Sequence, residues 1–317
     1  MAGFLLRRLA SAAAMLLVVG TIIFLMLVIV PGDPAELLLS TGGGSATPEA
    51  IANLRAEMGL DQPVGLQYLN FLVGSMRLDF GTSIIDGSSI AGAIALRLPR
   101  TLEIIAAGTV LALLVAIPAG TLAGLRAGSG YDIVASGLNA LLTSVPGFVV
   151  GTLFIYLFAQ VLGWLPAGGY IAFASDPVAH LRMLLLPAVT VGLHLATIIF
   201  RMTRASVLEM RGHDWVRTAT AKGLTRRLVV RRHILRNALG PVITVVGMQL
   251  GILLGSTVLV EFVYNWPGLS GMLVTAVEQR DYPTVRAVIL TVAAIFILIN
   301  LVIDILYSLL DPRIRLQ

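Results

Sequence analysis

From Leu9 to Val30 the chain runs for 22 residues without a charged side chain. At 1.5 Å per residue that is roughly 33 Å of helix, the thickness of a bilayer's hydrocarbon core. Five further apolar stretches follow at 101–125, 133–162, 183–200, 242–260 and 285–310. Lipid offers the backbone no hydrogen-bond partner, so such stretches cross as helices. The fold class that follows is an all-α membrane protein with six transmembrane helices. Composition agrees, with 57% hydrophobic and only 12% charged residues, where soluble domains run nearer a quarter charged. The first stretch reads as an uncleaved span. It is longer than a signal core, and Val30-Pro31-Gly32-Asp33-Pro34 follows in place of a small-residue cleavage site.

Charge sets the orientation. Arg201, Arg204, Arg211, Arg217, Lys222, Arg226, Arg227, Arg231, Arg232 and Arg236 crowd the polar island 204–241 and its edge. Lysine and arginine are retained in the cytoplasm. With Arg7, Arg8, Arg126, Arg313 and Arg315, that face holds fifteen of the 22 basic residues. Both termini are therefore expected inside. Segment 31–98 is expected outside, with acids at Asp33, Glu36, Glu49, Glu57, Asp61, Asp79 and Asp86 against Arg55, Arg77 and Arg97. Pro31 and Pro34 should stop the first helix, and Thr47-Pro48 should open a short one.

Several function classes drop out. Lys222 is the only lysine and Gly223 follows it, so no Gly-Lys-Ser/Thr loop exists to cradle ATP phosphates. There is no cysteine for a thiolate metal site or nucleophile. The four histidines have no HExxH spacing. No cofactor or metal site is expected, and a tethered 40-residue loop is an improbable reader of nucleic acid. A secondary transporter is the main rival. It would show ionisable residues deep in its spans, whereas Glu103 and Asp304 sit near span ends, where capping or pairing is expected.

Within the spans, Ala116, Gly120 and Gly124 form one small-residue face and Gly247, Gly251 and Gly255 another. Both predict close packing against another transmembrane helix, with a partner subunit as the alternative contact for the second. Pro118, Pro146-Gly147 and Pro187 predict bends. Asn139, Thr143, Ser144 and Gln160 read as helix-to-helix bonding groups, with pathway lining as the alternative. Tyr264 and Trp266 are placed near the membrane interface.

The basic island reads as helix–turn–helix. Asp214 caps a helix Trp215–Lys222 that Gly223 ends, and Thr225 caps a second helix that Gly240-Pro241 stops near Asn237. Trp215, Val216 and Ala219 should form a small exposed apolar knob. The small residues Ala219, Thr220, Ala221 and Gly223 favour a protein groove over lipid phosphate as the contact.

Asp214-Trp215-Val216-Arg217-Thr218-Ala219-Thr220-Ala221-Lys222-Gly223-Leu224, followed by His233 to Pro241, resembles the EAA signature of ABC importer permeases. The chain looks most like the first permease of the dipeptide/oligopeptide/nickel branch. Val30 to Ala35, Gly59 to Pro63, Leu98 to Glu103 and Leu310 to Arg315 are similar to that branch, so the resemblance covers nearly the whole chain. It departs at Arg217 and Thr218, where the signature has Glu and Ala, and at Thr220, where the branch commonly has Arg. The resemblance implies a type I importer permease in the bacterial cytoplasmic membrane, forming half of a pathway for peptides or a related solute. It implies a second permease, giving a heterodimer, two ATPase subunits that bind ATP and magnesium, and an extracytoplasmic binding protein. It assigns Asp214, Trp215, Val216, Ala219, Ala221, Lys222 and Gly223 to ATPase docking.

Overall fold

An apolar helix gains by burying its smoothest face against another helix and leaving the rest to lipid. A computed structural model of the chain describes residues 2–29, 35–36, 39, 47–57 and 59–310. Pro31, Pro34 and the terminal motif beyond Leu310 lie outside these residues, as does the Asp304 side chain. Five helices are long and apolar enough to cross a membrane, and a bent pair makes up to six. The helices are α1 (Ala2–Ile29), α2 (Pro48–Glu57), α3 (Val64–Met76), α4 (Ile90–Leu125), α5 (Gly130–Ser144), α6 (Gly147–Phe154), α7 (Pro177–Arg211), α8 (Asp214–Ala221), α9 (Arg226–Val263), α10 (Leu269–Glu278) and α11 (Tyr282–Leu310). Among the described residues the only β pairing is an isolated bridge between Thr82 and Ser89.

The chain divides into two bodies. One comprises the residues up to Leu98 with Gly271–Leu301; the other comprises Pro99–Ser270 with the residues from Val302 on. In the first, α1 packs on α3 through aromatic rings. Phe24 lies 5.3 Å from Tyr68 and 5.9 Å from Phe71 between ring centroids. The Thr21 and Tyr68 hydroxyls lie 2.6 Å apart.

In the second body, backbone touches backbone. A Cβ on Gly192 would lie 2.6 Å from the Gly108 carbonyl oxygen. One on Gly120 would lie 2.7 Å from the Phe200 oxygen, and one on Gly124 2.9 Å from the Arg204 oxygen. The Ala116, Gly120 and Gly124 face is thus the seam between α4 and α7. Gly247 backs onto Ile303 of α11, where a Cβ would meet the isoleucine side chain at 2.8 Å. Gly251 is buried, but Gly255 faces open space. The second glycine face therefore packs inside the chain at its first residue and is free at its last.

Prolines act unevenly. Pro146 forces Val145 into extended backbone (φ −98°, ψ 126°), and α5 and α6 bend by 99° there. That is a break, sharper than the bend expected. Pro187 sits inside α7, whose start is capped by Asp176 accepting from the Val178 and Ala179 amides at 3.0 Å. Pro241 does not stop a helix, contrary to expectation. It lies inside α9, just past a π-helical stretch Val229–Leu235. Membrane helices carry a proline without ending where packed neighbours and local adjustment satisfy the freed backbone groups.

Candidate functional site

The helix α8 is only eight residues long, so packing must hold it. Val216 and Ala219, three apart, face inward. They join Val207 from α7 with Val229, Ile234 and Ala238 from α9 in one buried cluster, flanked by Leu125, Met210 and Leu224. Burying a side chain such as Val216 contributes about 2 kcal/mol. Val216 and Ala219 are only 6% and 4% exposed. They are therefore not part of an outward knob. The apolar pair turns in because the ends of α7 and α9 offer it the nearest apolar surface.

The outward face is polar around one aromatic. Trp215 is 47% exposed and stacks on His213, with centroids 4.2 Å apart and planes at 16°. Arg217, Thr218, Ala221, Lys222 and Gly223 are exposed beside it. Asp214 is not the cap. His213 holds the extended cap position without a side-chain bond, and Asp214 is the first helical residue. There its charge meets the positive end of the helix dipole. It pairs loosely with Arg217 at 3.6 Å. Thr225 holds the cap position of α9 through its backbone alone.

Gly223 closes α8 at φ +76°. Its amide donates to the Thr220 carbonyl at 3.0 Å, and the Leu224 amide donates to the Ala219 carbonyl at 3.4 Å. This paired pattern is a left-handed helix end that favours glycine. A cavity of about 510 Å³ opens beside the helix, lined by Leu125, Arg211, Val216, Thr220, Arg226 and Val230 among others.

Two polar assemblies escape a reading of the sequence. On the side of α8, Arg204 grips Asp132 with two bonds, Nε to Oδ1 at 2.5 Å and Nη2 to Oδ2 at 2.8 Å. The Gly128 amide donates to the same carboxylate at 2.9 Å. Arg211 donates to the Leu125 carbonyl at 2.9 Å. The end of α7 is thereby tied to the end of α4 and the start of α5. Arg204 is one basic residue among ten, and the available signal was Asp132, an acid in the short link between the second and third apolar stretches.

At the opposite end of the same helices, Glu261 is 1% exposed. It accepts from the Thr101 hydroxyl at 2.6 Å and the Ser270 amide at 2.8 Å. Tyr264 and Trp266 are buried against protein. The Trp266 indole donates to the Arg100 carbonyl at 3.1 Å. The Tyr264 hydroxyl donates to the Gly151 carbonyl at 3.1 Å, and burial pushes its phenol up to about 12, so it stays a donor. Glu103 pairs with His180 at 2.7 Å, the pairing that its place at a span end suggested. Among the described residues no three His, Cys, Asp or Glu side chains gather to hold a metal.

Residues 116–316 match the family "Binding-protein-dependent transport system inner membrane component". Residues 1–105 match the N-terminal membrane-component family of the same systems. The chain is 36% identical to the probable peptide ABC transporter permease protein y4tP of Sinorhizobium fredii, covering 99% of this chain and 100% of that protein. It is 38% identical to the glutathione transport system permease protein GsiC of Escherichia coli K12, covering 99% of each. A crystal structure of an amino acid ABC transporter with histidines aligns with 76% of this chain and 96% of that one, at 17% identity and a TM-score of 0.48.

Proposed function

This chain belongs to the family of inner-membrane components of binding-protein-dependent transport systems, and from that membership we propose how it is coupled and what it carries. It is a permease subunit of an ATP-driven ABC importer, working with a binding protein and ATPase subunits and carrying out no catalysis of its own.

In our reading α8 is the coupling helix. One observation carries this. A helix too short to stand alone is seated on the ends of α4, α7 and α9 by its inner face, while Trp215, Arg217, Ala221 and Lys222 point out. A groove on an ATPase would receive that outer face, with Trp215 and His213 as the aromatic anchor. Closure of two ATPases around ATP and magnesium would move α8. Because Val216 and Ala219 are packed on both neighbouring helices, the movement passes to two spans at once. The shift between inward- and outward-facing states requires only that nucleotide favour one of them.

Both termini and the 204–241 loop are assigned to the cytoplasm by the charge count. A second, different permease would complete the pathway, and the free end of the glycine face at Gly255 is the available contact for it. Relatives named for peptide and glutathione transport support a peptide-like solute.

The test is affinity purification of the tagged chain from its own cells in mild detergent. The wild type should bring down a second permease and one or two ATPases. Trp215→Ala with Lys222→Glu should keep the permease but lose most of the ATPase. Undiminished ATPase recovery would remove α8 from the docking role.

A further inference from the structure

The first body contains an open cavity of about 640 Å³ that coupling does not use. Local chemistry shapes it. After α3 the chain curls back through Leu78, Gly81 and Gly87, all at positive φ. The Ser83 hydroxyl then donates to the Asp281 carboxylate at 2.6 Å. Asp281 also accepts from the Thr284 hydroxyl at 2.6 Å and so fixes the first turn of α11. One turn further on, Arg286 enters the cavity wall, facing a lining that includes Asp79, Gln62, Asn70 and Ser75.

The charges in this wall are unmatched. The Arg286 guanidinium lies 5.8 Å from the Phe71 ring centroid. No hydrogen bond or ion pair among the described residues holds it. Asp79 accepts from the Gly81 amide at 3.1 Å but does not pair with Arg286. A partly buried cation stays unpaired at a cost, and here a carboxylate with free lone pairs shares the same cavity. A ligand that supplied both opposite charges would satisfy both. The volume lies within the range of small-molecule sites.

We propose that this cavity binds a small zwitterion, its carboxylate on Arg286 and its ammonium on Asp79. This deepens the importer reading and rests on it for the statement that the cavity opens outside the cell. The site would take a free amino acid or short peptide with both termini unblocked.

The experiment uses the full chain in lipid nanodiscs and isothermal calorimetry. The probes are dialanine, N-acetyl-dialanine and dialanine amide. Dialanine should bind, and each blocked form should bind about tenfold more weakly or worse, since each loses a charge-assisted bond. Arg286→Met should erase the discrimination against the amide. Asp79→Asn, at an exposed position, should erase the discrimination against the acetyl form. No binding of dialanine, equal binding of the three, or discrimination that survives Asp79→Asn would overturn the proposal. Should Arg286→Met not fold, the blocked ligands and Asp79→Asn still decide. Failure of the importer reading appears elsewhere, as the absence of ATPase in the purification, whatever the calorimetry gives.

Discussion

Gly223 is the residue on which the coupling helix turns. Its φ of +76° costs an ordinary L side chain about 1–2 kcal/mol, least for asparagine. Nothing lies within 4 Å of a Cβ placed there, so sterics with neighbours play no part and backbone alone decides. Gly223→Val should therefore loosen the Gly223–Thr220 and Leu224–Ala219 bonds and raise hydrogen exchange of the α8 amides. Gly223→Asn should change little. The chain should still insert, and ATPase recovery should fall in the order glycine, asparagine, valine. Equal exchange in all three would show that packing, not the turn, holds α8. Glu261 shows the same logic where no turn is involved. Its carboxylate is kept because a hydroxyl and an amide donate to it, and removing one partner would leave the others buried and unmatched.

At the scale of elements, small residues decide where helices meet. The Ala116, Gly120 and Gly124 face was legible because four-residue spacing places three small side chains on one line, and a single helix geometry then suffices. The spans were legible for the same reason, since length and apolarity are local properties. What the sequence did not reveal depended on a neighbour. Val216 and Ala219 look outward on an isolated helix and turn in only because α7 and α9 lie beneath them. Tyr264 and Trp266 suit a membrane interface by residue type, and that reading does not show that the Gly151 and Arg100 carbonyls accept their hydrogen bonds inside the protein. Pro241 looks like a stop, yet the helix runs on through it to Val263. The two glycine seams also separate by test. Gly192→Ala places a methyl against the Gly108 backbone, which cannot move aside as a side chain can. It should destabilise the chain by about 1–3 kcal/mol, read as a lower melting temperature in detergent. Gly255→Leu meets open space and should leave that temperature unchanged while reducing recovery of the second permease. A normal permease yield would place the partner contact elsewhere.

Across the larger body, the end of α7 is a hub. Val207 and Met210 hold α8, Arg211 holds the last turn of α4, and Arg204 holds the first turn of α5. A displacement of α8 therefore reaches α4, α5, α7 and α9 together, which is what a coupling element must achieve if the pathway is to change as a unit. The Asp132–Arg204 pair is the one link in this hub made between two opposite charges. Arg204 is about one-third exposed and Asp132 nearly buried, so breaking the pair should cost less than the loss of a fully buried one. Asp132→Asn keeps the size and removes the charge. In reconstituted importer it should preserve ATPase docking and ATP hydrolysis but lower solute uptake per ATP, because α5 no longer follows α7. Arg204→Gln should do the same, and the double variant should be little worse than either single one, since both remove one interaction. Uptake per ATP that remains at the wild-type value in all three would mean that apolar packing alone carries the movement. Losses that simply add would mean that the two residues act separately.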